Sequence, residues 1–260
     1  MPIITFTTDF GNLYPAAMKA VVLGINPEAK IVDITHSVSR ASIREGAFAL
    51  YSLVPYFPDK TVHVAVVDPG VGTFRRALAV KAGTLGKEQF FVGPDNGLLV
   101  PAARRLGDMK FYEITNLDMM LRVSATFHGR DIFAPVGAHL SKGFPIQDAG
   151  PEISEFVDLN FGTYEIDWPF LVGEVIFSDI FGNVITNIPE DAALKFCNFG
   201  STVEINGRKV PFMYTYGLVG KGEPVALIGS HAFLEIAVNG GSAVSRFGLE
   251  SGGQVVIKVN

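Results

Sequence analysis

The chain has 260 residues, enough for one large domain or two modest ones, each able to bury a core. Hydrophobic residues make up 48% and charged residues 18%, with a mean hydropathy of +0.31; such a chain is expected to bury much of itself or to share surface with copies of itself. The net charge of −5, with basic residues adjoining only in pairs such as Arg75-Arg76 and Arg104-Arg105, argues against nucleic-acid binding, which needs a concentrated positive footprint.

In chain order, residues 3–7 are a short β-branched run and predict a buried strand. The first residues carry neither the charged region nor the cleavage site of a secretory leader, so a cytoplasmic location is expected. Residues 14–23 have helical character, closed by Gly24 and Pro27, and residues 30–35 predict a second strand. Ile43, Ala47, Leu50 and Val54 recur at helical spacing until Pro55 and Pro58 end the helix. The stretch 47–57 is the most apolar, but it is too short and contains a proline, so no membrane span is expected. Residues 61–67, 77–81 and 89–92 predict three more strands, and residues 98–106 and 131–140 two more helices. This alternation predicts an α/β domain with a mainly parallel sheet. Ligands bind beyond the carboxyl ends of such strands. That marks two loops, Thr8-Asp9-Phe10-Gly11 and Asp68-Pro69-Gly70-Val71-Gly72.

Residues 144–169 carry three prolines and several acids with little periodicity, and read as a linker. The division into domains falls at 163/164 on this reading. Beyond it come short β-rich runs separated by Gly, Asn and Asp, with Asn206-Gly207 as a strong hairpin signal. The texture of 164–260 predicts a small all-β barrel or sandwich. The single cysteine, Cys197, rules out an intrachain disulfide and a multi-cysteine metal site.

Several segments could carry chemistry, and each has a plainer reading. Asp68 and Arg75 flank a Pro-Gly-Val-Gly turn and could meet across it, but a surface ion pair there would be worth little. The Gly-x-Gly in this turn is no dinucleotide fingerprint, since Arg75 stands where the third glycine belongs. His128 lies between Phe127 and Gly129, just ahead of a predicted helix. Alone it is as readily structural as catalytic. Asp179, Asn183 and Asn187, then Asp95 and Asn96, then Asn239-Gly240-Gly241-Ser242 all sit among turn residues and could be turn chemistry only.

Taken together and in order, TDFG, DPGVG, FHGRD, DIFGNVITN and EIAVNGGS resemble the S-adenosyl-L-methionine hydroxide adenosyltransferase family over essentially the whole chain. Fluorinases and chlorinases are its relatives. The resemblance implies an α/β N-terminal domain and a β-barrel C-terminal domain. It also implies a homotrimer, with S-adenosylmethionine bound between the N-terminal domain of one subunit and the C-terminal domain of the next. The family's catalytic Asp-Arg-His set falls on Asp68, Arg75 and His128. Halogenating relatives carry tyrosine at the position of Asp68, and fluorinases insert a long loop that this chain lacks after residues 77–81. Both differences favour water over halide. For the substrate, Asp9 matches the acid on the ribose hydroxyls, Phe127 an aromatic beside the sugar and sulfonium, and Asp179 and Ser230 contacts to the methionine amino and carboxylate groups. Phe181 and Asn183 match the adenine pocket, Tyr216 a stacking aromatic, and Gly240 a backbone partner of adenine.

In one place the chain departs from the family pattern. The first loop reads NLYP, lacks a second acid that helps hold the methionine end, and is shorter than usual; His231 is a candidate to compensate. The expected reaction is hydrolysis to adenosine and methionine, with no cofactor and no metal. Its competitors are a halide adenosyltransferase, a sensor that binds S-adenosylmethionine or adenosine without turnover, and a methyltransferase, for which the loop after the first strand is the wrong kind.

Overall fold

The run IITFTT forms the first strand, β1 (Ile3–Thr8), and every residue from Ile4 onward is buried. Such continuous burial belongs to a central strand covered on both faces. The computed structural model describes residues 2–259, and the chain divides into two units, Met1–Asn160 and Phe161–Asn260.

In the first unit β1 is followed by α1 (Tyr14–Ile25), β2 (Lys30–Thr35), α2 (Ile43–Leu53), β3 (Val62–Val66), β4 (Ala77–Thr84) and β5 (Lys87–Pro94). Then come α3 (Val100–Leu106), β6 (Asp108–Glu113), α4 (Ala134–Ser141) and β7 (Glu152–Ile153). The sheet order is β2-β1-β3-β5-β4-β6-β7. β2, β1, β3 and β5 run parallel, whereas β4 and β6 pair antiparallel with their neighbours, as does β7 with β6. The sheet is therefore mixed, not mainly parallel as the alternation suggested. The reason is the connection between β4 and β5, where Thr84 pairs with Lys87 across only Leu85-Gly86. Two residues can reverse a chain, but a parallel return needs a dozen or more. The consequence reaches the function: β4 begins at the edge where β1, β3 and β5 end, so the residues ahead of β4 lie beside the loops that follow the parallel strands.

One face of the sheet offers Ile4, Phe6, Val62, Val64 and Val66 to Met18 and Val22 of α1 and to Val136 and Leu140 of α4. Alternate residues turn to the other face, where α2 and α3 pair. There His63 is fully buried. Its Nδ1 meets Thr5 Oγ1 at 2.7 Å, its Nε2 meets Gln89 Oε1 at 2.9 Å, and it stacks on Phe91 with 5.0 Å between ring centroids. Burial pushes its pKa down to about 4. Folded, the ring stays neutral, while the unfolded chain takes up a proton below about 6.5. Stability is thus full above that pH and is lost as pH falls from 6.5 towards 4, by roughly 3 kcal/mol from this group. Thermal melts from pH 7 to 4.5 should show the decline, and a His63 imidazole that titrated near 6.5 by NMR would refute it.

Residues 144–169 are not an unstructured linker. Glu152–Ile153 adds β7 to the sheet, Phe156 stacks on Phe111 at 3.9 Å, and Val157 N–H donates to Asp95 Oδ1 at 2.8 Å. These ties are long-range, so no local period announces them.

The second unit contains β8 (Glu165–Asp167), β9 (Phe170–Ser178), β10 (Val184–Pro189), α5 (Glu190–Phe196), β11 (Thr202–Ile205) and β12 (Arg208–Pro211). It continues with β13 (Pro224–Ile228), β14 (Phe233–Val238), α6 (Ala243–Phe247) and β15 (Gln254–Lys258). The antiparallel order is β12-β11-β15-β9-β10-β14-β13, with β8 on β9. Phe212, next after β12, bridges to Ala226 in β13, so the sheet closes almost into a barrel. Asn206-Gly207 makes the expected two-residue hairpin between β11 and β12. The interior is filled by Leu171, Val175, Ile188, Val203, Phe212, Ile236 and Ile257.

Candidate active site

Asp68 follows β3, and Arg75 precedes β4. The turn between them is held by Val71 N–H to Asp68 C=O at 3.2 Å and Thr73 N–H to Gly70 C=O at 3.2 Å. Asn96 Nδ2 donates to Val67 C=O at 2.8 Å and fixes the start of the loop. Asp95 accepts from Arg76 Nε at 2.9 Å. The plain reading of Asp95 and Asn96 as structural loop residues therefore holds.

The Asp68–Arg75 pair is no surface bridge, because the side chains are only 4% and 11% exposed. Arg75 Nε donates to Asp68 Oδ1 and Oδ2 at 3.0 and 3.1 Å, and Nη2 donates to Oδ2 at 2.5 Å. The same Nη2 lies 2.8 Å from His128 Nδ1. The guanidinium also sits 5.1 Å over the Phe133 ring. Arginine can only donate, so Nδ1 must carry a lone pair, and a neutral imidazole then has its proton on Nε2. Burial, then the Arg75 charge, push the His128 pKa below its usual 6.5, against the pull of Asp68 and Asp131. Near neutral pH the ring therefore presents an Nε2–H donor, held by a guanidinium that a buried carboxylate holds in turn.

His128 ends the segment that leads into a π-helical turn, Gly129–Phe133. Gly129 is closely packed there: a Cβ would stand 3.1 Å from the Phe10 ring, 3.2 Å from Met18 Sδ and 3.3 Å from the Phe127 ring, so these side chains would have to yield by a few tenths of an ångström. Phe10, Tyr14 and Phe127 meet edge to face, with centroids 5.6 to 6.5 Å apart. With Ser124, Thr126 and Arg130 they line a cleft of about 510 Å³. Asp9, on the loop after β1, accepts from Ala41 N–H at 2.9 Å. The first unit thus brings Asp68, Arg75 and His128 into contact, with Phe127 beside them in the chain.

The second unit assembles Asp179, Phe181, Asn183, Tyr216 and Gly240, with Val238, Asn239 and Gly241, around a cleft of about 540 Å³. Asp179 Oδ1 accepts from Phe181 and Asn183 N–H, each at 2.9 Å, and Oδ2 accepts Asn183 Nδ2 at 2.9 Å. A carboxylate only accepts, so this contact orients the amide and leaves Asn183 Oδ1 as an acceptor. Asp179 spends three of about four lone-pair directions on its own turn. Phe181 is 71% exposed, presenting a flat apolar face. Tyr216 O–H donates to Glu235 Oε1 at 2.6 Å, and His231 Nε2 lies 3.6 Å from Glu235 Oε2. Burial raises the Glu235 pKa. Ser230 is exposed in the β13–β14 turn and does not line the cleft. Asn187 holds Glu174 N–H at 2.8 Å and is structural.

Sequence reasoning missed Phe10, Tyr14, Arg130 with Asp131, and Glu235. The FHGRD and TDFG motifs and the loop beside them contained the first four, but their roles depend on which side chains meet. A cleft of about 630 Å³ elsewhere in the first unit, lined by Lys60, Lys81, Glu88 and Lys142 among others, shares none of these residues. Glu88 there is bonded to Lys60 at 2.9 Å and Lys81 at 2.6 Å. Among the described residues, no three His, Cys, Asp or Glu side chains gather as a metal ion would need. Cys197 is buried, and its thiol is pushed up to about 11, which keeps it unreactive.

Comparison with known proteins agrees with this arrangement. Residues 4–150 match the family model for the SAM hydroxide adenosyltransferase N-terminal domain, and residues 173–256 match that for the C-terminal domain. A relative named (R)-S-adenosyl-L-methionine hydrolase from Salinispora tropica is 40% identical, over 96% of this chain and 95% of its own. One of the same name from Thermus thermophilus is also 40% identical, over 96% of each. The crystal structure of an uncharacterized conserved protein from Thermotoga maritima superposes with a TM-score of 0.92 at 38% identity, over 98% of this chain and 100% of the other. With both domain models matched in order and the Asp-Arg-His contact in place, the chain belongs to the S-adenosyl-L-methionine hydroxide adenosyltransferase family.

Proposed function

We propose that this protein hydrolyses S-adenosyl-L-methionine to adenosine and L-methionine, with Asp68, Arg75 and His128 as its catalytic residues. The observation that carries the roles is the contact of one Arg75 nitrogen with both Asp68 and His128. The sulfonium is already a good leaving group and departs as a neutral thioether, so the reaction calls for no acid, metal or cofactor. Water is the poor partner and must be aimed and activated. His128 Nε2–H and the Arg75 cation hold its oxygen in line with the C5′–S bond. The cation favours hydroxide character. The oxygen attacks C5′, the C5′–S pair passes to sulfur, and the water's proton is released. Asp68 offsets the cost of a cation near a sulfonium and fixes the guanidinium. Alignment supplies much of the acceleration.

Asp9 holds the ribose diol, Phe127 packs beside the sugar and sulfonium, and Asp179 and Ser230 serve the amino-acid end. Adenine sits against Phe181 and Tyr216, with its exocyclic amine on Asn183 Oδ1 and backbone pairing near Gly240. The exposed apolar side chains Leu13, Tyr14, Ile180 and Phe181, at 55% to 94% exposure, support self-association. A homotrimer, each site completed by two subunits, is part of this reading and is tested by light scattering. A cytoplasmic location is also part of this reading. Among the described residues no helix is long and apolar enough to cross a membrane.

Incubation with each sulfonium epimer of S-adenosylmethionine in ¹⁸O-water should release adenosine and methionine in equal amounts, with label in the 5′-hydroxyl. A chlorinated nucleoside that required chloride would instead establish halide transfer. Tight binding with no adenosine released would establish a sensor.

A further inference from the structure

Arg130 lines the aromatic cleft of the first unit, yet no step above uses it. Its Nε donates to Asp131 Oδ1 at 2.6 Å and its Nη2 to Asp131 Oδ2 at 3.0 Å. Asp131 is 1% exposed and is further held by Ser124 N–H at 2.9 Å and Ser124 Oγ at 2.7 Å. The guanidinium also lies 5.1 Å over the Phe127 ring. One edge of this planar group is therefore locked, while the side chain remains 39% exposed. The fork geometry leaves the Nη1 edge free to meet a second planar anion in bidentate fashion.

The rest of the lining says which anion. The cleft contains one cation, three aromatic rings, two hydroxyl residues and no acid, since the nearby carboxylate of Asp131 is buried. The short loop after Asp9, Phe10-Gly11-Asn12-Leu13-Tyr14, contributes no carboxylate either. A cleft so lined offers no carboxylate partner to an ammonium, and its one formal charge, a guanidinium, suits a carboxylate. Three rings meeting edge to face form a wall that attracts an onium centre without a formal charge. An onium beside a terminal carboxylate is the pattern of the amino-acid arm of S-adenosylmethionine. Asp131 already neutralises Arg130, so the guanidinium adds no net repulsion to the sulfonium.

We propose that the outward edge of Arg130 binds the α-carboxylate of the substrate and makes the enzyme selective for a carboxylate-bearing sulfonium. The proposal rests on the hydrolase reading and specifies the tail that the same site accepts. It is tested by kcat/KM for S-adenosylmethionine and for its decarboxylated analogue. The wild type should prefer the carboxylate form by about 10- to 100-fold, the range for a charge-assisted pair. Arg130→Gln should reduce that preference to about threefold or less, mainly through KM, and Arg130→Lys should keep part of it. If Arg130→Gln slows both substrates equally, or neither, Arg130 only supports the turn and the proposal falls. A wild-type protein that released adenosine from neither substrate would overturn the hydrolase reading itself, and this proposal with it.

Discussion

Arg75→Ala is expected to slow adenosine release about 100-fold or more, the scale of a lost acid–base or charge-positioning group. The reason is geometric. Arg75 joins Asp68 to His128 through Nη2 distances of 2.5 and 2.8 Å. Without it the Asp68 carboxylate, 4% exposed, loses its counter-ion, and the His128 ring loses the donor that selects its tautomer. His128→Ala should cost about as much as Arg75→Ala, and the double variant little more than either, because residues acting as a unit are not additive. Independent, multiplying losses would contradict a single catalytic unit. The pH profile offers a second check. Since burial and Arg75 push the His128 pKa below 6.5, activity should stay level as pH falls through 6.5. It should decline only at lower pH, when Nδ1 takes a proton and can no longer accept from Arg75. A midpoint at or above 6.5 would place His128 in a different environment.

Gly72→Ala should damage stability and activity together. Gly72 has φ of +77°, and a Cβ there would stand 2.3 Å from the carbonyl oxygen of Ala125. Both the left-handed backbone and the clash with another backbone penalise any side chain. A loss of about 3 kcal/mol is expected, or a Tm lower by roughly 6–12 °C. The turn that carries Arg75 rests on the segment that leads to His128, so relief of the clash must move one away from the other. A shift near 1 Å is enough to cost about 100-fold in rate. Gly24→Ala is the control. Gly24 lies inside α1, with nothing within 4 Å of where a Cβ would stand, and alanine should be neutral or stabilising there. If Gly72→Ala melted and turned over like the wild type, the claimed coupling between the two loops would be wrong.

Much of the fold could be read before any coordinates. Continuous β-branched and apolar runs located β1 and β3, and a 3.6-residue period located α2, because burial on both faces or on one stripe must be supplied by the residues themselves. Asn206-Gly207 announced its hairpin, because few other pairs suit that turn. The loops after β1 and β3 were marked as ligand loops by the strand-end rule alone. Ordered motifs then named the family and picked out Asp68, Arg75 and His128 as candidates.

What the linear chain could not decide was pairing across distance. The antiparallel course of β4 depends on which strand it joins, and only that course returns Arg75 to the edge that holds Asp68. His128 comes from 53 residues beyond Arg75 to complete the contact. Burial set the Asp68–Arg75 pair apart from an ordinary surface ion pair, and burial is a property of the packed whole. The Asp131 clamp on Arg130 and the Glu235 contact to Tyr216 belong to the same class. Local propensity and turn chemistry act over a few residues and are written in the sequence, whereas desolvation and side-chain convergence exist only once the sheet has closed its order.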